Sequence, residues 1–320
     1  MGAFGHYLTS HLDTLRQEFW YLFVGGLANG FIYGMVAIGY TLVYGVLRLI
    51  NFAHSEVFMT GGFASYFVLR AVIGTSSPSG FMSVVDVLIG LLAGGLFGAL
   101  AATLLERTAY RPLRRRNAPA LAYLISAIGA SYFAFNLAGK EFGRYNMAMP
   151  QPFMNHIVFR VFGAPVQMYY LIILASGLTM LIVLDRLIAK TSLGRSIRAV
   201  AQDAETASLM GVNIDRTIAV TFILGGALGG VGGFLYGLGS GVAYTMGFVP
   251  ALKAFTAAVL GGIGNLRGAV LGGLILGVVE QLSVAFVQAA YIDTVAFGIL
   301  VLVLLFRPTG ILGERLGRSA

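Results

Sequence analysis

Two carboxylates stand inside apolar sequence where an ionised side chain is expensive: Glu56 in LINFAHSEVFMTGG and Glu280 in LILGVVEQLSVAF. A charge at the middle of a bilayer costs about 2.5–3.5 kcal/mol on insertion scales, so each must face a cavity, a partner helix or another polar group. For Glu280 two readings are open, a structural hydrogen bond through Gln281 or Ser283 and a place on a substrate path. Glu56 follows Asn51, His54 and Ser55. For that group the open readings are a cytoplasmic hairpin turn, with Glu56 capping the next helix, and an interrupted helix whose freed backbone groups line a route. A second Gly-flanked polar turn, with Asn265 and Arg267, occurs in LGGIGNLRGAVLGG and reads as a weak internal repeat. The path candidates are therefore Asn51, His54, Glu56, Asn265 and Glu280.

Motifs for bond-breaking chemistry are missing. G-x-x-x-x-G-K-[ST], H-E-x-x-H and G-x-S-x-G do not occur, and His6, His11, His54 and His156 are dispersed. The chain has no cysteine, which excludes disulfides, thiol chemistry and thiolate metal sites. We expect no catalytic residue, no metal site and no resident cofactor.

The other polar feature is GRSIRAVAQDAETASLMGVNIDRTIAV, residues 194–220, between two apolar runs. Asp203 is a good N-cap, Glu205 suits the positive end of a helix dipole, and Gly211 can end a helix in the left-handed conformation. This predicts a helix over 204–210 preceded by a short basic one over 195–201. The pair is too short and too polar to span, and Ala207, Leu209 and Met210 are expected to be exposed for packing on the cytoplasmic face.

Membrane spans must hold these residues in place. The chain is 58% hydrophobic and 11% charged, with a mean hydropathy of +0.84, against roughly a quarter charged in soluble domains. Apolar runs at 22–46, 53–72, 84–105, 119–137, 168–188, 217–240, 250–264, 268–288 and 291–306 predict about nine spans, within a range of 8–10 that includes short or interrupted helices. The fold class is all-α and polytopic, a single transmembrane domain over 1–320 with an N-terminal segment 1–20, a cytoplasmic loop 189–216 and a tail 307–320. The first run is too long for a signal-peptide core and residues 1–20 lack a basic start, so no cleaved leader is expected.

The net charge of +8 is carried largely by Lys and Arg at span ends, which argues for topology rather than nucleic acid. Arg107, Arg111, Arg114, Arg115 and Arg116 mark one cytoplasmic linker; Arg186, Lys190, Arg195, Arg198 and Arg216 mark another; Arg307, Arg315 and Arg318 mark the tail. The opposite segments hold only Lys140, Arg144 and Arg160. With an odd number of spans the N-terminus is outside and the C-terminus cytoplasmic.

Glycine is the other organising residue, with 44 in the chain. Gly225, Gly229, Gly233, Gly237 and Gly241 recur every fourth residue and predict a smooth helix-packing seam, as do Gly26, Gly30 and Gly34, and Gly90, Gly94 and Gly98. The same seams are compatible with helices that rock during transport.

Four ordered segments carry a resemblance: GYTLVYGVLRLINFAHSEVFMTGG, TSLGRSIRAVAQDAETASLMGVNIDRTIAVTFILGGALGGVGG, FTAAVLGGIGNLRGAVLGGLILGVVE and LFRPTGILGE. Over roughly residues 22–315 the chain resembles the permease subunits of ABC importers for branched-chain amino acids. The resemblance implies a bacterial inner-membrane location and makes residues 194–211 a coupling loop that docks in a groove of an ATPase subunit, with Gly194, Arg195, Arg198, Ala199, Ala201, Asp203, Ala207 and Gly211 matching its pattern. Glu205, Leu209 and Met210 fall within that loop. It further implies ABC ATPase subunits that use ATP and Mg, a second, non-identical permease, an external substrate-binding protein touching 138–167, and a small amino acid as substrate. Ser55 replaces a usual glycine and Ala204 a frequent proline. Urea or short amides are the nearest alternative substrates, and an ion-coupled secondary transporter using Glu56 and Glu280 is the rival mechanism.

Overall fold

A computed structural model describes residues 2–73, 80–153, 157–307 and 309–313, with the backbone alone for 2–14 and 289. The tail arginines 315 and 318 lie outside the described residues. The elements are α1 (Gly2–Leu47), α2 (His54–Ile73), α3 (Phe81–Leu105), a π-helical turn (Glu106–Tyr110), α4 (Arg111–Arg115), α5 (Ala120–Glu141), a hairpin of β1 (Ile157–Val161) and β2 (Ala164–Gln167), α6 (Met168–Lys190), α7 (Ser192–Gln202), α8 (Ala204–Leu209), α9 (Ile214–Ser240), α10 (Phe248–Gly261), α11 (Leu266–Ser283) and α12 (Ile292–Phe306).

All nine apolar runs form helices, but they are unequal. Seven are long and apolar enough to cross a membrane. The remaining two, α10 with 14 residues and α12 with 15, reach about 21–23 Å at 1.5 Å per residue and fall short of a hydrocarbon core. The 27-residue α9 is surrounded by α1, α2 and α3. Lipid offers helices little hydrophobic incentive to associate, so close backbone approach supplies the packing.

The glycine seams perform this function, divided between faces. On α9, Gly225 meets the backbone of Gly39 in α1, Gly229 meets His54, and Gly233 lies against the Phe58 carbonyl of α2. Gly237 faces Met149, and Gly241 ends the helix. A second row, Gly226 and Gly230, faces α3; a Cβ at Gly230 would overlap the Gly94 carbonyl. Gly26 and Gly30 of α1 pack antiparallel on Gly277 and Gly273 of α11. The seam read from the sequence as one stripe thus serves α1, α2 and the outer loop in turn.

Outside the bundle, Asn146 and Met147 pair with the end of α9 through Ser240 and Val242. The β-hairpin is tied to α1 by Trp20 stacking on Phe162 at 4.6 Å. At the other end the chain after α12 returns over α10, where Ile311 and Leu312 N–H donate to the Leu260 and Gly261 carbonyls.

Candidate coupling and translocation sites

The predicted pair of short helices is present as α7 and α8. Thr191 caps α7 by accepting from Gly194 N–H, and Gly194 passes so close to the Ile188 carbonyl that a Cβ would overlap it. Arg198 donates to that same carbonyl, and Arg48, just past α1, donates to the Ala201 carbonyl at 2.6 Å. Ile197 and Val200 anchor α7 by burial, Ala199 is half-buried and Arg195 is exposed. Asp203 caps α8, accepting from Glu205 N–H at 2.9 Å, Thr206 N–H at 3.3 Å and the Thr206 hydroxyl at 2.5 Å. These donors, the Thr206 side chain first, hold its carboxyl below the usual carboxylate range. Gly211, at φ +86°, ends the segment in the left-handed region.

One expectation is corrected. Ala207 is buried at 4% exposure rather than exposed, because α8 turns this face inward and Val212 N–H closes onto its carbonyl. Leu209 and Met210 do stand out, at 84% and 81% exposure. They flank an open recess of about 540 Å³ lined by Arg107, Arg111, Ser208, Asn213 and Arg216.

A line of polar contacts leads inward from this recess. Asp215, in the first turn of α9, accepts from Arg114 at 2.7 and 3.0 Å. Arg114 also binds the buried Glu106 at 3.1 Å. Glu106 opens the π turn and Tyr110 closes it. The Tyr110 hydroxyl donates to Asn51 Oδ1 at 3.1 Å, and the same oxygen accepts from Ala53 N–H at 3.1 Å, where α2 begins. Sequence reading missed Tyr110, Arg114 and Asp215 as a unit. Arg114 registers there only as a topology marker, and its partner is 101 residues away.

The start of α2 is inside the bundle. Residues 48–53 leave the end of α1 and climb back beside it, so that His54 lies against Gly39 and against Gly229, near the midpoint of α9. Asn51, His54, Ser55 and Glu56 are all buried. The imidazole fills the hollow left by the two glycines and meets Tyr40 edge-on at 4.8 Å. Glu56 Oε1 accepts from Ser55 at 3.1 Å and from Ser131, halfway along α5, at 3.0 Å. This is the interrupted-helix arrangement, not a surface hairpin turn.

The second interruption is displaced from the expected one. Within 260–273 the chain makes a tight turn at 262–265 between α10 and α11, in which Asn265 caps α11 through Gly268 N–H and donates to the Leu312 carbonyl. The break that matches α2 is the segment 241–247. It descends from the end of α9 until Gly247 abuts the Ser55 carbonyl, and the short α10 starts there. Two helix beginnings therefore meet in mid-bundle, and Asn265 is remote from both.

Glu280 also has a different environment from the one the sequence suggested. Lys253 of α10 donates to its Oε1 at 2.6 Å, with Tyr33 at 3.4 Å. Lys253 also holds Asp293 of α12 at 2.6 Å. Ser283 uses the Glu280 backbone carbonyl, and Gln281 receives Asn29 instead. Lys253 was the missed residue, and its signal was a lysine inside FVPALKAFTAAVLGG. The ion pair joins three helices rather than marking a cavity.

Known proteins resemble the chain along most of this architecture. The family model described as the permease component of branched-chain amino acid transport systems matches residues 22–304. The chain is 40% identical over 312 residues to the high-affinity branched-chain amino acid permease protein LivH of Escherichia coli K12, covering 95% of this chain and 96% of that one. It is 41% identical over 297 residues to BraD of Pseudomonas aeruginosa, covering 91% and 94%. A probable LivH of Methanocaldococcus jannaschii is 25% identical, covering 87% and 88%. The chain therefore belongs to the family of permease components of branched-chain amino acid transport systems.

Proposed function

We propose that this chain is the transmembrane permease subunit of an ATP-driven importer for branched-chain amino acids, forming the translocation path beside a second, homologous permease. Separate ATPase subunits use ATP and Mg, and an external substrate-binding protein delivers the amino acid; the chain itself carries no cofactor. The observation that carries this reading is the α7–α8 pair, which presents Leu209 and Met210 near an open polar recess.

Closure of the ATPase subunits pushes on Gly194, Arg195, Arg198, Ala199, Asp203, Glu205, Ala207, Leu209, Met210 and Gly211. The push passes through Asp215, Arg114 and the π turn to Asn51, and so to the start of α2. π turns are frequent at functional sites, and the hydrogen bonds that Arg114 donates to Asp215 and Glu106 and that Tyr110 donates to Asn51 support this route, with residues 212–214 joining it to the end of the α8 segment along the chain. Rocking then occurs about the glycine seams, and each ligand shifts the equilibrium only by its differential affinity for the two states. Within this reading Asn51, His54 and Glu56 lie on the path, while Asn265 and Glu280 support the α10–α11 pair. The N-terminus is outside and the C-terminus cytoplasmic, which places the β-hairpin region towards the binding protein.

The chain lacks cysteine, so a single cysteine at Leu209 or Met210 is a clean cross-linking probe. We expect it to capture an ATPase subunit, and we expect Gly211→Val, which forces a β-branched residue into positive φ, to uncouple ATP hydrolysis from uptake. Labelling of that cysteine from the external side of intact cells, or full uptake by Gly211→Val, would overturn the reading.

A further inference from the structure

We propose that Glu56 is the carboxylate that receives the ammonium group of the amino acid in mid-passage; this rests on the importer reading above. Four buried carboxylates along the spans invite comparison; one of them, Asp86 in the second turn of α3, has no ion pair among the described residues but lies outside the α2–α10 junction. Glu106 holds Arg114 and Glu280 holds Lys253. Glu56, at 7% exposure, has no cation within ion-pair distance among the described residues. Both of its hydrogen bonds, from Ser55 and Ser131, end on Oε1. Among the described residues no hydrogen bond ends on Oε2, which leaves that oxygen as the acceptor.

Placement makes this vacancy useful. Glu56 lies in the first turn of α2, beside the junction of Ser55 with Gly247 where α10 starts. Its other neighbour, α5, is scarcely covered by the rest of the chain, so the carboxylate is one thin layer from the face where a second subunit can complete a passage. An ionised carboxylate this deep is normally found with a partner. Two hydroxyls orient it but do not neutralise it. A zwitterion with an apolar side chain supplies the missing positive charge as an N⁺–H donor, whereas a carboxylate already bound to lysine has its charge engaged.

The assembled transporter, reconstituted in vesicles, tests the assignment. We expect Glu56→Gln, which keeps the hydrogen-bond geometry and loses the charge, to lower ATP-driven leucine uptake at least tenfold, and Glu56→Asp to recover part of it. In the complex carrying Ser131→Cys as its one thiol in this chain, leucine should slow alkylation, whereas 4-methylpentanoate, which has the same side chain and carboxylate but no ammonium, should not. Adding Glu56→Gln should abolish the leucine protection. Equal protection by both compounds, protection by neither, or wild-type uptake by Glu56→Gln overturns the assignment. Loss of wild-type uptake on collapsing the proton gradient at constant ATP would make Glu56 a proton site and also overturn it. Absence of any ATP-driven branched-chain amino acid uptake by the wild-type assembly would instead refute the importer reading.

Discussion

Glu280 and Glu56 have the same side chain, comparable burial and comparably apolar flanking sequence, yet their surroundings divide them. Glu280 is neutralised by Lys253, which also holds Asp293, so α10, α11 and α12 are joined through one ammonium. Among the described residues Glu56 receives only hydroxyls. The difference teaches that an intramembrane carboxylate is classified by its partner and not by its depth. A salt-bridged one fastens helices, and one steadied by neutral donors is, in the proposal above, left to meet a charge that arrives.

The sharpest way to break this comparison is to remove the fastener's cation. Lys253→Met strands Glu280 in the interior and should destabilise the purified protein by about 3–5 kcal/mol, whereas a Lys253→Met and Glu280→Leu double variant should regain most of it. Thermal unfolding in detergent checks both. Glu280→Gln should cost less, about 1.5–3 kcal/mol, because Lys253 keeps Asp293. If instead it abolished uptake without lowering stability, Glu280 would belong with Glu56.

The next test concerns the link between coupling loop and path. Tyr110→Phe deletes the bond to Asn51 and should lower stability by only about 0.5–1.5 kcal/mol, yet raise the ATP hydrolysed per leucine imported. An unchanged ratio would remove the π turn from the route. The smallest expected effect contrasts a third carboxylate, in water. The Asp203 carboxyl is held low by its cap donors, so the stabilisation it gives α8 is present above the unfolded value near 4 and is lost only as pH falls through the lower folded one. A spin label attached to the Leu209→Cys side chain at pH 7.5 should therefore keep the same mobility when the pH is lowered to 5.5.

Much of the local architecture was legible because its causes are local. Hydropathy located nine of the twelve α-helices, the Asp203 cap and Gly211 stop bounded α8 within a residue, and the four-residue glycine period marked α9 as a close-packing helix. These follow from backbone hydrogen bonding, capping and small-residue approach, each set by residues a few positions apart. The role of Ala207 failed at this level, since which side of a six-residue helix faces inward depends on what lies beneath it.

Composition and periodicity determined that the chain is an all-α membrane bundle with a polar pair of short helices between two spans. Only the tertiary structure decided that 48–53 and 241–247 re-enter the bundle, that Lys253 meets Glu280 across 27 residues, and that Glu56 meets two hydroxyls and, among the described residues, no cation. Such pairings depend on how the glycine seams set the helices side by side, and no short-range rule of sequence encodes that arrangement.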